Sequence, residues 1–69
     1  MNEWITRQAD ALGAGELTDA EQATLLDLAR VAAHDSGDRT NAPLLCYLLG
    51  RTQGEKSLDE LAEIVRSTS

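Results

Sequence analysis

Two copies of one helix-start signal constrain the fold of this chain most. They are the segments Thr18–Glu21 (TDAE) and Ser57–Glu60 (SLDE). In this pattern, the capping box, the Ser or Thr hydroxyl accepts a free backbone N–H of the first helical turn. The Glu three residues later accepts the backbone N–H of the cap residue. Apolar residues at helical spacing follow both segments, so we predict helix starts at 18 and 57.

Apolar residues recur with the helical period in four segments, and no run alternates with the period of a strand. The predicted helices cover residues 2–12, 18–36, 42–51 and 57–67. Gly13 and Gly37 follow two of them and favour the left-handed conformation in which helices often end. We therefore predict an all-α, compact four-helix domain over residues 1–69, with the second and third helices as the central pair and a disordered tail at 67–69.

The apolar stripes predict which residues form the core. In the second and fourth helices the stripe is narrow and faces one side; it comprises Leu25, Leu28, Ala29 and Ala32, then Leu58, Leu61, Ala62 and Val65. In the third helix Leu44, Leu45, Leu48 and Leu49 cover two sides, which is typical of a buried helix. Pro43 fits in its first turn, because that N–H has no helical partner.

Length and cysteine content indicate a domain of marginal stability. A chain of 69 residues buries a small share of its surface, and domains of this size often need a disulfide, a metal or a partner. Cys46 is the only cysteine, so no internal disulfide can form, and no Cys/His set has zinc-ligand spacing. Self-association or docking on a larger protein is the remaining route to further stability.

The charge balance argues against nucleic acids and membranes as partners. Six basic and twelve acidic residues give a net charge of −6, whereas phosphate binding requires a basic surface. The longest apolar run, Leu44–Leu49, is too short to span a bilayer. The start of the chain, MNEWITRQAD, does not have the apolar core of a signal peptide. We therefore expect a cytoplasmic protein with a buried free thiol.

No residue set predicts catalysis, a cofactor or a metal. His34 is the only histidine, and no nucleophile lies at a recognisable spacing from it, so a surface or helix-capping role is favoured. The segment DSGDRTN starts like a calcium loop but has Thr40 where Gly is required and Cys46 where Glu is required. Asp35-Ser36 is followed by Gly37 rather than Leu, unlike the attachment site of acyl carrier proteins. We expect a protein that is not an enzyme.

Four residues remain as candidates for an interaction site. Arg39 precedes a predicted helix N-terminus, where free N–H groups favour anions, and His34 and Tyr47 would lie nearby if the loop folds back. These three would bind a small anion or a carboxylate of a partner. Alternatively, Arg39 pairs with Asp35 or Asp38 and Tyr47 only packs. Trp4 either holds the first helix on the core or anchors a partner.

The order of several short segments resembles a small helical family of unknown function that is found mainly in actinobacteria. The segments are EWI, LG, LLDLARVAAH, R..APLLCYLLG and LDELAEIV, within residues 3–65. Members stand alone or form the C-terminal tail of molybdopterin-guanine dinucleotide biosynthesis proteins, the nucleotidyltransferases that join GMP to molybdopterin. The resemblance implies an accessory module in molybdenum-cofactor maturation. No Gly-rich nucleotide-binding loop is present, so we expect no nucleotide transfer by this chain itself.

The favoured function at this point is a non-enzymatic helical protein-interaction or accessory module. Its expected partner is a molybdenum-cofactor guanylyltransferase. Two alternatives stay open: a binder of small anions or ligands at residues 34–47, and a structural homodimer.

Overall fold

A computed structural model of the chain describes residues 2–54 and 56–68, and these residues form four α-helices and no strand. The helices are α1 (Glu3–Leu12), α2 (Asp19–Ser36), α3 (Asn41–Thr52) and α4 (Leu58–Thr68). The predicted all-α four-helix fold is confirmed, and each helix bound lies within one residue of its prediction. Within these ranges no helix combines the length and apolar character that crossing a bilayer demands.

Hydrogen bonds at three helix starts explain why the helices begin where they do. The Thr18 hydroxyl accepts the N–H of Glu21 at 3.0 Å, and the Glu21 carboxylate accepts the N–H of Thr18 at 2.8 Å. At α4 the Ser57 hydroxyl accepts the N–H of Glu60 at 3.2 Å. Asn2 caps α1 by accepting the N–H of Ile5 at 2.9 Å. These bonds satisfy donors that have no partner inside the helix.

Removing the hydroxyl at the start of α2 is expected to destabilise the domain. We expect Thr18→Ala to lower the free energy of unfolding by about 1 kcal/mol, because one N–H of the first turn loses its acceptor. Thr18→Ser keeps the hydroxyl and should stay close to the wild type. Urea denaturation followed by circular dichroism measures both. Equal losses in the two variants would show that the hydroxyl does not carry the effect.

The helix ends follow the glycines at α1 and α2 but not at α3. Gly13 and Gly37 adopt φ values of 69° and 71°, the left-handed conformation that glycine reaches without strain. Gly50 lies inside α3, which continues to Thr52 before the extended Gln53. One glycine within a helix costs about 1 kcal/mol, which the packing of the neighbouring Leu49 offsets.

The core is small and α2 lies at its centre. Four of the described residues are buried: Leu28, Leu49, Leu61 and Ala62, with exposed fractions of 0%, 5%, 6% and 2%. Leu25, Leu45 and Val65 pack against this cluster. Helix α2 packs mainly against α3 and less extensively against α4. The predicted stripes of α2 and α4 therefore do face the core, and α2 and α3 form the central pair.

Helix α3 departs from its prediction, and helix α1 lies outside the core. Helix α3 is buried on one side only, and Leu44 and Leu48 remain 60% and 52% exposed. Helix α1 contributes no residue to the core cluster, and Trp4 is 61% exposed, so it does not pin this helix to the core. Leu44 and Leu48 stay exposed because, among the described residues, α3 and α4 each pack on α2 but form no extensive contact with each other.

Two smaller expectations also change. Residues 67 and 68 were expected in a disordered tail, but they are helical, and the Ser67 hydroxyl donates to the Glu63 carbonyl at 2.8 Å. The third residue of that tail, Ser69, lies outside the described residues. Cys46 is a free cysteine that is half-buried rather than fully buried.

Candidate functional site

An apolar groove runs between α3 and α4. Two cavities of about 510 Å³ each lie along it, and Leu48, Ile64 and Val65 line both of them. Because the cavities share these residues, they form one continuous depression, which we call the α3–α4 groove. Its floor includes Ala32 of α2 and the buried Leu49 of α3.

The walls of the groove expose large apolar side chains to solvent. Leu44, Leu48 and Ile64 have exposed fractions of 60%, 52% and 47%. Leu44 and Leu48 lie four residues apart, so they share one face of α3. Covering a leucine or isoleucine side chain is worth about 1.5–3 kcal/mol relative to leaving it in water. Burial of this groove by another molecule would therefore be favourable.

The charged residues of the groove are unusual for this chain. Although the protein carries twelve acidic and six basic residues, the two charged residues that line the groove cavities, within residues 2–54 and 56–68, are both cations, Arg51 and Lys56. They lie at the end formed by the C-terminus of α3 and the residues before α4. The opposite end is neutral and polar, lined by Ser36, Asn41 and Thr68. The groove therefore favours an apolar partner with a negative charge at one end.

An ion-pair cluster centred on Asp27 fixes one wall of the groove. The Asp27 carboxylate accepts from Arg30 of the same helix at 2.8 Å and from Arg66 of α4 at 3.1 Å. The hydrogen bonds from Arg30 and then Arg66 lower the pKa of Asp27, since they favour its charged form. The contact with Arg66 joins residues 39 positions apart. It therefore holds the C-terminal part of α4 against α2.

The stabilisation from Asp27 should depend on pH. A carboxyl group whose folded pKa is lowered stabilises the fold above its ordinary pKa of 3.8 and loses this effect as the pH falls through the folded value. Asp27→Asn is therefore expected to be less stable than the wild type at pH 7, and the difference should shrink as the pH falls below 3.8. The loss at pH 7 should be small because all three side chains are substantially exposed. Urea denaturation over a series of pH values from 7 downward measures it, and a difference that does not shrink would contradict the assignment.

Trp4 lies in a second, smaller apolar surface at the other flank of the molecule. It lines a cavity of about 320 Å³ together with Ile5 of α1, Leu17 of the connecting segment and Leu26 of α2. Leu26 is 64% exposed. Trp4 thus belongs to an apolar surface whose cavity is not lined by His34, Arg39 or Tyr47.

The structure does not bring His34, Arg39 and Tyr47 into one cavity among those described above. His34 lies in the last turn of α2 and is exposed, where a positive charge would interact favourably with the helix dipole. Arg39 is exposed in the turn before α3. Tyr47 is 67% exposed, and the guanidinium carbon of Arg51 lies 6.0 Å from the centre of its ring.

The turn before α3 is organised by Asp38 rather than by Arg39. One carboxylate oxygen of Asp38 accepts from the hydroxyl and the N–H of Thr40, at 2.7 and 2.9 Å. These hydrogen bonds lower the pKa of Asp38, the hydroxyl bond most strongly. Ser36 joins the same turn by accepting from the side-chain amide of Asn41 at 2.9 Å. A fixed negative charge at the start of α3 disfavours an anion there.

The sequence did not predict Leu44, Leu48 and Ile64 as site residues, because apolar side chains at helical spacing predict a buried core. The signal that could have found them is the width of the α3 stripe. Leu44, Leu45, Leu48 and Leu49 cover more of the helix surface than one neighbouring helix can bury. In addition, Ile64 stands at the edge of the narrow α4 stripe. When two neighbouring helices each carry more apolar surface than they can bury against the rest of the domain, the remainder can contact a further partner.

The fold and the groove together define a small all-α domain that exposes an apolar groove. In the described part of the chain, no three His, Cys, Asp or Glu side chains are grouped so as to hold a metal ion. The chain belongs to the family described as Domain of unknown function (DUF6457), which matches residues 1–69. No curated protein and no solved structure is significantly similar to it.

Proposed function

We propose that this protein is a non-enzymatic helical protein-interaction module and that the α3–α4 groove is its binding surface. The observation that carries the proposal is the row of exposed Leu44, Leu48 and Ile64 along a continuous apolar depression. Contiguous apolar surface of this kind marks interaction sites in small domains. The cytoplasmic location stays a prediction from the sequence.

The shape and charge of the groove specify the kind of segment that fits. A depression between two helices accepts the apolar stripe of a third helix, whose anchors recur at every third or fourth position. Arg51 and Lys56 at one end favour a segment with an acidic residue at the matching end. The partner is therefore a protein that presents an amphipathic helix with an acidic terminus.

We further propose that the partner acts in molybdenum-cofactor guanylylation. Support comes from the resemblance of residues 3–65 to a family whose members include tails of molybdopterin-guanine dinucleotide biosynthesis proteins. A domain that is a tail in one protein and a separate chain in another commonly binds the same catalytic domain in both forms. On this proposal the groove receives a helix of a guanylyltransferase, and this chain performs no chemistry itself.

Isothermal titration calorimetry with the guanylyltransferase of the same organism tests the proposal. We expect saturable binding in the micromolar range, with a negative heat-capacity change because apolar surface is buried. An unrelated nucleotidyltransferase of similar charge serves as the control. Absence of heat at high micromolar concentration over several temperatures would exclude this partner.

The alternative of a small-anion site at residues 34–47 has less support. Asp38 places a negative charge at the start of α3 through its bonds to Thr40, and His34, Arg39 and Tyr47 point to no shared cavity among those described. The alternative stays a prediction and has a direct test. Thermal stabilisation by phosphate that disappears in Arg39→Ala would establish it.

A further inference from the structure

We infer that the apolar surface around Trp4 is a second docking site, which binds a basic amphipathic segment of another protein. This surface, which we call the Trp4 surface, consists of Trp4, Ile5, Leu17 and Leu26. Its cavity shares no lining residue with the two cavities of the α3–α4 groove. The inference therefore does not rest on the proposed function of the groove.

The Trp4 surface is a cleft between α1 and the outer side of α2. Its cavity has a volume of about 320 Å³ and is lined by residues of both helices and of the segment that connects them. On α2, Gln22 and Leu26 line it from positions four residues apart, which share one face of the helix. Leu26 and the fully buried Leu28 leave α2 about 160° apart. The cleft therefore lies on the side of α2 that faces away from the core.

The large apolar side chains of the cleft are accessible to a partner. Trp4 and Leu26 have exposed fractions of 61% and 64%, and those of Ile5 and Leu17 are 37% and 39%. Tryptophan is enriched among the residues that dominate the binding energy of interfaces, because its ring buries a large area at one position. An apolar side chain inserted in the cleft would cover Trp4 and Leu26 together.

Helix α1 lacks the packing that a partner in the cleft would supply. None of its ten residues is buried, and within residues 2–54 and 56–68 it forms no extensive contact with another helix. A helix shorter than about 12–15 residues is only marginally stable in water on its own. A bound segment would contact α1 and α2 at once. Amide hydrogen exchange at residues 7–12 should therefore slow when the cleft is occupied.

The charge around the Trp4 surface selects a basic partner. Residues 2–27, which form this surface, contain six acidic residues and one basic residue, Arg7, whereas the rest of the chain contains six acidic and five basic residues. Glu3 and Glu16 are exposed, and each directly follows or precedes a residue that lines the cavity. Complementary charge speeds association and excludes partners of like charge. The cleft thus favours a segment whose apolar anchors are flanked by Lys or Arg.

The same charge disfavours the other possible occupants. A second copy of this chain also carries a net charge of −6, so it would be repelled. Nucleic acids and anionic membranes present negative groups that require a basic protein surface. A basic amphipathic helix of another protein supplies both the apolar anchors and the positive charge.

Two synthetic peptides without aromatic residues test the inference. Both have about 16 residues, enough to form a helix, with leucines at helical spacing; one has lysine and the other glutamate at the polar positions. Trp4 is the only tryptophan, so its fluorescence reports on this surface. We expect the lysine peptide to shift the Trp4 emission to shorter wavelength in a saturable way that high salt weakens. The glutamate peptide should leave the emission unchanged.

Variants identify the groups that bind the lysine peptide, with calorimetry as the readout. Trp4→Ala should weaken binding at least about tenfold, because it removes the aromatic anchor. The double variant Glu3→Gln, Glu16→Gln should weaken it about threefold, mainly through slower association. Tyr47→Ala removes an exposed aromatic ring that lines none of the three cavities, so this control should bind like the wild type. Circular dichroism confirms that each variant is folded.

Amide signals of the isotope-labelled wild type separate the two sites. The lysine peptide should shift Ile5 and Leu26, and the glutamate peptide should shift Leu48 and Ile64 of the α3–α4 groove. Unchanged Trp4 emission with the lysine peptide at millimolar concentration, or equal binding of both peptides at the Trp4 surface, would overturn the inference. Failure of the glutamate peptide to reach the groove would count against the proposed function of the groove and leave this inference standing.

Discussion

Leu28→Ala is expected to lower the free energy of unfolding by about 2–5 kcal/mol, the range for leucines truncated in well-packed cores. Leu28 is the one large side chain that the described structure buries completely, at 0% exposure, and it lies on the central helix α2. A domain of this length has a total stability of only about 3–10 kcal/mol. The substitution should therefore leave the protein marginally folded or unfolded at 25 °C.

Leu26→Ala is the matched control for this prediction. It removes the same atoms two positions earlier on α2, where the side chain is 64% exposed. Its cost should stay within roughly 0.5 kcal/mol, as for most surface substitutions. Urea denaturation followed by circular dichroism compares the two variants. Similar urea concentrations at the unfolding midpoints of the two variants would contradict the arrangement of helices around α2.

Leu48→Asp is expected to weaken binding of the proposed guanylyltransferase partner by about 30-fold or more, because truncating a central apolar anchor of an interface costs about 2 kcal/mol or more. Leu48 lines both groove cavities, and an aspartate there also repels an acidic partner segment. The side chain is 52% exposed in the free protein, so the fold should tolerate the change. Calorimetric titration measures the loss of affinity.

Tyr47→Asp provides the control for the groove. Tyr47 is the neighbouring residue, is 67% exposed and lies outside the groove cavities. The same charge at this position should change the affinity by less than about threefold, as expected for a site that the partner does not cover. An equal loss at both positions would indicate a general effect of charge. A larger loss at Tyr47 would move the binding surface to the 34–47 region.

The helices were predictable because their ends are encoded locally. Thr18 and Glu21 satisfy each other's neighbouring N–H groups, and Gly13 and Gly37 adopt left-handed conformations. These signals act over three or four residues and do not depend on the rest of the fold. The position of Gly50 inside α3 has the opposite origin. Glycine disfavours the interior of a helix, but the packing of the neighbouring Leu49 in the core outweighs this preference. The local sequence does not show whether Leu49 will be buried.

The candidate site was not predictable to the same degree, because exposure is a property of the assembled helices. Leu44 and Leu28 have the same chemistry, yet one is 60% exposed and the other is fully buried. The difference arises because α3 and α4 each pack on α2 and leave a gap between them. Trp4 was predicted to be either a core residue or a partner anchor; its 61% exposure argues against the first, and the second stays a prediction.

The most direct test is an NMR titration of isotope-labelled wild-type protein with the guanylyltransferase of the same organism. We expect the largest shifts or broadening at Leu44, Leu48 and Ile64, with the signals of His34 and Arg39 little changed. This pattern would establish the α3–α4 groove as the binding surface. Perturbations confined to residues 34–39, or an unchanged spectrum at high micromolar partner, would contradict it.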